Sequence, residues 1–370
     1  MLAKGTKTLL AAVFSTIILF FSNTLQASPK EPGDGEEHHA ATEKEGFNAK
    51  EVIFGHIMDA HEFHFAEYKG SDGHKHPITI PLPVILYAPE KGFSVFMSSK
   101  FEHGHAEVDG YKLNAEGKIE AVDGSAVYDF SLTRNVVQML LALGLLLWIL
   151  LSVAKMYAKG AGVTTAPKGK QNVVEILVTF IRDQVAKPNL GHKSNKYLPF
   201  LLTVFFFIFI NNIFGLIPGS ANVTGNIAFT AVLGVITFLV ILFSTNGHFW
   251  GHIFNPPGVP LGVKFILVPV EFLGIFIKPF ALIIRLFANM VAGHIIILCL
   301  ISMIFIFAEK IATGAGWGMS PVSLAFTIFI YFIELLVAFL QAFIFTMLSA
   351  VFIGQAFEGE HHEGEHAAHH

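Results

Sequence analysis

Arg285 sits at the centre of the longest apolar run in the chain, residues 265–307, whose midpoint is residue 286. Arginine is not deprotonated in proteins, so this run carries a permanent positive charge. On insertion scales a central arginine costs about 2.5–3.5 kcal/mol. Snorkelling to a membrane edge would lower that cost, but a midpoint position is the worst place from which to do it. Other polar groups share the run. At about 100° per residue, Glu271, Lys278 and Asn289 each fall within about 40° of Arg285 and form one polar stripe with it. His294, nine residues on, falls about 180° away and faces other neighbours.

A second apolar run covers residues 321–357, and Glu334 is its only charge. Gln341, seven residues later, shares its helix face. Acids, an imidazole and amides spread over two helices at several depths are what an interrupted proton path requires. The acids and the imidazole pass protons, and the arginine stops them. Blander roles stand beside this one: a hydrogen-bonded bundle histidine for His294, a structural ion pair for Glu334, and packing for Lys278 and Gln341. Thr224 and Asn226, at the start of an earlier apolar run, suit either a pathway wall or a helix cap.

The elements that position these residues follow from composition. The chain has 370 residues, 53% hydrophobic and 14% charged, against about 25% charged in soluble domains. With a net charge of −4 it has no basic footprint for nucleic acid. Its single cysteine, Cys299, excludes disulfide frameworks and Cys-ligated metal centres. The expected fold class is an all-α integral membrane protein with five transmembrane helices, the last two long and tilted, and one interfacial helix. The spans are 136–157, 198–217, 227–243, 265–307 and 321–357. The two long runs would be about 64 and 55 Å if wholly helical, so they are either tilted and bent or broken. Pro269, Gly274, Pro279 and Gly293 offer bends. Glu309, Lys310 and the segment GAGWGMS mark a turn between the two, and residues 244–264 form a loop. The 38 Phe suit a lipid-facing surface. Residues 171–185 are amphipathic, with Val174, Leu177, Val178 and Ile181 in one stripe, and make the interfacial helix. Eight Lys or Arg between residues 155 and 196 mark the cytoplasmic side, so the C-terminus is inside and the N-terminus outside.

Four domains are expected. Residues 1–27, with Lys4, Lys7 and a 13-residue apolar run, have the pattern of a signal peptide with a cleavage site before Ser28. Residues 28–128 hold 18 of the 28 acids and form a periplasmic extension. It starts as a polar tether (28–46) and becomes a small β-rich domain, with strands in 78–97 around the turn at 89–92 and a hairpin at 111–123 around Gly117. Residues 129–357 are the membrane domain, and 358–370 a His- and acid-rich tail. Histidines at 56, 61, 64, 74, 76, 103 and 105 are loosely spaced in acidic surroundings, and no specific metal site is expected from them. The sequon at Asn222 lies in a short loop at the membrane and is a chance match.

The segment KPFALIIRLFANMVAGH (278–294), above all R-L-F-x-N-M-x-A-G, resembles subunit a of F-type ATP synthases. LQAFIFTMLSAVFI (340–353) is a second match, and GKQNVVEILV (169–178) and NNIFGLIPG (211–219) are weaker ones. The similarity covers roughly residues 130–357. It implies that Arg285 is the family's arginine facing the carboxylates of the rotating ring of c subunits. Asn289 and Gln341 match the family's nearby amides, Glu271 an acid toward the cytoplasmic outlet, and His294 with Glu334 the pair lining the outer half-channel. In one common bacterial pattern the acid and the histidine of that pair are exchanged, and Thr224 stands where some members have aspartate. Implied partners are the c ring, the b subunits of the peripheral stalk, other ATP synthase subunits and the bilayer of a bacterial inner membrane. No cofactor is implied, and the sequence has no phosphate loop. An independent transporter would show repeated halves, which are absent. A haem carrier would need further axial ligands deep in the spans, where His294 is the only histidine.

Overall fold

The computed structural model describes residues 59–357, apart from 70–74, 105, 115–116, 161, 163–165, 218, 246 and 256–259. The expected signal peptide, the tether and the C-terminal tail lie outside the described residues. The chain forms two compact units. One holds the residues up to Gln138, with Gly215–Ala228 and Val291–Leu335. The other holds Met139–Phe214, Phe229–Met290 and the chain from Leu336.

In the first unit, β1 (Glu62–Lys69) and β2 (Lys75–Pro81) pair antiparallel, as do β5 (Tyr111–Leu113) and β6 (Ile119–Ala121). A three-stranded sheet has the order β4 (Gly92–Met97), β3 (Pro83–Ala88), β7 (Tyr128–Asp129). The alternation in β3 buries Val84, Leu86 and Ala88 against Phe96, Phe101, Tyr111 and Ile119. A period of two is what one buried sheet face demands. Gly117 takes φ 75° in the β5–β6 turn, a conformation costly for a side chain bearing Cβ. Strands β1 and β7 were not expected from the sequence. β1 carries charge along its length, and β7 has only two residues.

The strands lead directly into α1 (Arg134–Ala158). Asp59 Oδ1 accepts the backbone N–H groups of Ala60 at 3.0 Å and Asn135 at 3.2 Å, and Arg134 N donates to Ala60 O at 2.9 Å. Beside this junction His61 Nε2 lies 2.8 Å from Asp129 Oδ2, and Ser131 N donates to Asp129 Oδ1 at 2.8 Å. About one turn later the helix reaches into the loop before α4: Gln138 donates to Ala221 O at 2.6 Å and accepts from Ala221 N at 3.0 Å.

The other helices of eight residues or more among the described residues are α2 (Lys170–Phe180), α3 (Ser194–Gly215), α4 (Ile227–Phe243), α5 (Gly247–Phe254), α6 (Leu261–Lys310) and α7 (Thr313–Phe357). A π-helical turn, Ile181–Ala186, continues α2. The expected amphipathic stripe is its inward side, with Val174 and Ile181 buried while Val173 and Ile176 are exposed. Among the described residues four stretches are long and apolar enough to cross a membrane: Arg134–Ala158, Lys170–Gly215, Gly262–Lys310 and Thr313–Ala356. α4 is a shorter apolar helix of 17 residues.

One open alternative is decided and two expectations are corrected. Neither long run is broken. α6 has 50 residues and α7 has 45, about 75 and 68 Å of helix, despite Pro269, Pro279 and Pro321. The segment GAGWGMS is the first two turns of α7 and not a loop. A Cβ on Gly316 would stand 2.5 Å from Ala308 Cβ, so glycine here serves close helix packing. Residues 244–264 contain α5, whose Trp250 and Phe254 rings stack at 6.1 Å. Phenylalanine serves both surface and interior. Phe265, Phe329 and Phe332 are exposed, whereas in the second unit Phe339 meets Phe205 and Phe209 edge-on at 5.9 and 5.8 Å.

Burial pushes the Asp129 carboxyl up, but the His61 and Ser131 contacts outweigh it and hold Asp129 below its ordinary value. A depressed carboxylate gives stability that is present above its unfolded value, about 3.9. That stability is lost as pH falls through the lower folded value. Asp129→Asn is expected to weaken the junction at neutral pH by about 1–2 kcal/mol. Hydrogen exchange of peptides covering residues 60–66 and 126–132 should then speed up by about tenfold. The difference should shrink once the wild-type carboxylate is itself protonated.

Candidate functional site: polar groups in the apolar helices

In the first unit α6 carries His294 and α7 carries Glu334. The imidazole is half-buried. Its Nε2 lies 2.9 Å from the carbonyl of Gly215, at the end of α3, and its Nδ1 lies 3.2 Å from Asn222 Nδ2. A helix end supplies that carbonyl because its last C=O groups have no partner within the helix. Asn222 opens a 3-10 turn, Val223–Gly225, and accepts the Gly225 N–H at 3.0 Å. Thr224, fully buried, contacts Asn222 Oδ1 at 3.5 Å. Asn226 Oδ1 accepts the Ala228 N–H at 2.9 Å and caps α4. Of the two roles open for Asn226, this geometry supplies the cap.

Glu334 is 5% exposed, and its Oε2 is enclosed without a hydrogen-bond partner among the described residues. Its carboxylate lies directly over Gly293: a Cβ built on that glycine would overlap Glu334 Oε1. Two turns earlier on α7, the buried hydroxyl of Thr327 also has no partner among the described residues.

In the second unit, α6 buries Leu282, Leu286 and Met290 and turns Arg285 outward. The predicted stripe therefore lies on the outer side of the helix. Lys278 and Arg285 are exposed, and Glu271 and Asn289 are half-buried. Among the described residues Arg285 has no hydrogen bond or ion pair. Lys278 Nζ donates to Gln355 Oε1 at 3.0 Å and lies 5.0 Å over the Phe352 ring, which suits its packing role. Gln341 is buried, 6% exposed, seven residues from Glu334 along α7.

The structure thus joins His294 to Asn222, Thr224 to Asn222, Glu334 to the Gly293 backbone and Lys278 to Gln355. Sequence reasoning missed Asn222, Gly293 and the Gly215 carbonyl. Asn222 carried a usable signal. It is an amide able to cap a turn in an uncharged loop, three residues before a glycine.

Long apolar helices that enclose an acid and present an arginine outward define a multi-pass membrane protein. A family model described as ATP synthase A chain matches residues 136–354, and one for a domain of unknown function (DUF8433) matches residues 52–137. The chain belongs to the ATP synthase A chain family, that of F-type ATP synthase subunit a. It is 46% identical over 282 residues to an ATP synthase subunit a of Chloroherpeton thalassium, covering 73% of this chain and 80% of that one. It is 50% identical over 237 residues to ATP synthase subunit a 2 of Chlorobaculum tepidum, covering 62% and 64%. With an ATP synthase subunit a of Pelodictyon phaeoclathratiforme it shares 41% identity over 291 residues, covering 77% and 82%.

Gly293→Ala cannot be absorbed while the Glu334 carboxylate stays in place. Overpacking of this kind costs about 1–3 kcal/mol. The variant's melting temperature in detergent should fall, and the double variant Gly293→Ala/Glu334→Ala should recover most of the loss. An undisturbed single variant would contradict the contact.

Proposed function

We propose that the chain is the proton-translocating stator subunit of the membrane sector of an ATP synthase, with two offset half-channels separated by Arg285. One observation carries this reading. Midway along an unbroken apolar helix, a permanent cation faces outward and has no partner among the described residues. A charge so placed is costly unless something outside the chain answers it. A ring of c subunits with one carboxylate per step would do so. Such a carboxylate loses its proton beside the guanidinium, because a nearby positive charge favours the ionised form. Past Arg285 it is reprotonated from the other half-channel and returns to lipid as a neutral group. The same charge blocks direct leakage.

On this reading His294 and Glu334, with Thr224 and Asn226 in its wall, serve the outer half-channel. Asn289 and Gln341 flank the exchange point, and Glu271 lies toward the cytoplasmic outlet. Each charge crossing 100 mV releases about 2.3 kcal/mol, so several crossings are summed for each ATP made elsewhere in the complex. The subunit catalyses no bond change itself. Five crossings, α1, α3, α4, α6 and α7, are proposed, with α2 at the interface. The strand region then lies outside a bacterial inner membrane, behind a cleaved signal peptide, and the C-terminus inside. The basic residues between α1 and α3 support that orientation. The partners are the c ring, the b subunits of the peripheral stalk and the other ATP synthase subunits.

Arg285→Ala tests the reading. With assembly confirmed, ATP-driven acidification of inverted membrane vesicles should be abolished. Pumping near the wild-type rate would make Arg285 a structural residue and sink the mechanism.

A further inference from the structure

We infer that Asn222 is a positioning residue that fixes the tautomer of His294, holding the imidazole neutral with its hydrogen on Nε2. The inference rests on the proton-path reading of His294 and adds to it which ring nitrogen is open to a proton.

The argument is one of donors and acceptors. An asparagine side chain has one accepting end and one donating end. A backbone N–H can only donate, so the end of Asn222 that meets Gly225 N at 3.0 Å is the oxygen. The end that meets His294 Nδ1 at 3.2 Å is then the NH₂ group. An amide nitrogen only donates, so Nδ1 must accept and carries no hydrogen. At the other side of the ring, the Gly215 carbonyl only accepts, so Nε2, 2.9 Å away, carries the hydrogen. Both ring nitrogens are satisfied without a charge, and the tautomer follows from three hydrogen bonds rather than from the ring itself.

The seat of Asn222 is built on three sides. Its side chain is 6% exposed. A Cβ on Gly225 would stand 2.5 Å from Asn222 Nδ2, so the missing side chain at 225 is what leaves room for the amide. The preceding residue, Ala221, is held through both its N–H and its C=O by Gln138. Turning the Asn222 amide over would set NH₂ against the Gly225 N–H, donor against donor.

The chemical consequence is a preference. A proton arriving at Nδ1 would face a donor and must displace it. Among the described residues the loop 219–226 and the first turn of α4 carry no titratable group, α1 contributes the Gln138 amide to this loop, and the acid packed on Gly293, the residue before His294, is Glu334 of α7. Asn222→Asp keeps an oxygen for Gly225 N–H and changes only the end that meets the ring, from donor to acceptor. It should convert the opposition into support.

The test is ¹⁵N-histidine solid-state NMR of the assembled complex in membranes, with His294 identified by difference against His294→Gln. In the wild type, His294 should show a protonated Nε2 and a bare Nδ1. In Asn222→Asp both nitrogens should be protonated at pH values where the wild type has one hydrogen. The acid limb of proton pumping should move to higher pH by about one unit or more. Gly225→Ala, which crowds Asn222 without touching the ring, should give a mixture of tautomers. A wild-type spectrum with hydrogen on Nδ1, or identical titrations of wild type and Asn222→Asp, would overturn the inference. If the tautomers behave as stated while His294→Gln pumps normally, the positioning role stands and the proton-path reading of His294 fails.

Discussion

Hydrocarbon offers no water to a polar group, and the apolar helices of this chain are organised around that constraint. Thr237, Thr346 and Ser349 return their hydroxyls to carbonyls one turn back, at 3.0, 2.8 and 2.7 Å. Asn212 gives its amide to Ala338 O at 3.0 Å. The hydroxyls are silenced locally, as buried polar groups usually are, and Asn212 pairs its donor while its Oδ1 has no partner among the described residues. Against that background Arg285, Glu334 and Thr327 differ in kind. The same helices that satisfy ordinary polar residues leave these without a partner among the described residues. A protein able to quiet the one set has not quieted the other, which is why family membership and the proton-path reading support each other.

Much of the fold was legible because the hydrophobic code for a span is coarse. α1 and α4 begin and end within two residues of the apolar runs that announced them. Failures came where one residue type has two uses. Glycine in GAGWGMS has the signature of a turn, yet here it lets α7 press on the end of α6 from its first residues. The histidines, glycines and prolines between 244 and 264 hid an eight-residue helix whose aromatic rings stack on one another. In the strand region β3 declared itself by its β-branched and aromatic residues ahead of the turn at 89–92. The two-residue strand β7 could not, since it is defined by its partner and not by its own pattern.

The site was legible to the extent that cost is legible. A central arginine and a lone glutamate stand out in apolar sequence whatever surrounds them. What surrounds them was not available to pattern reasoning. Asn222 and His294 are 72 residues apart, and no helical spacing links them. Gly293 has no side chain with which to announce that a carboxylate rests on it. The exchange of acid and histidine relative to a common bacterial arrangement is now easier to understand in local terms. A residue at 294 meets a carbonyl on one side and an amide on the other, a setting that an imidazole satisfies with both its nitrogens.

The start of α1 has a consequence for the order of events in biogenesis. Its first turn is capped by Asp59, 76 residues earlier in the chain, and not by a neighbouring serine or aspartate. A local cap forms as soon as a helix does, but this one requires the intervening chain to close a long loop first, at an entropic cost that only strand pairing repays. The helix can enter the bilayer with that end unfinished. Its final N–H groups are satisfied only when the preceding strands have assembled, so the last step in maturing this end of the span takes place outside the hydrocarbon.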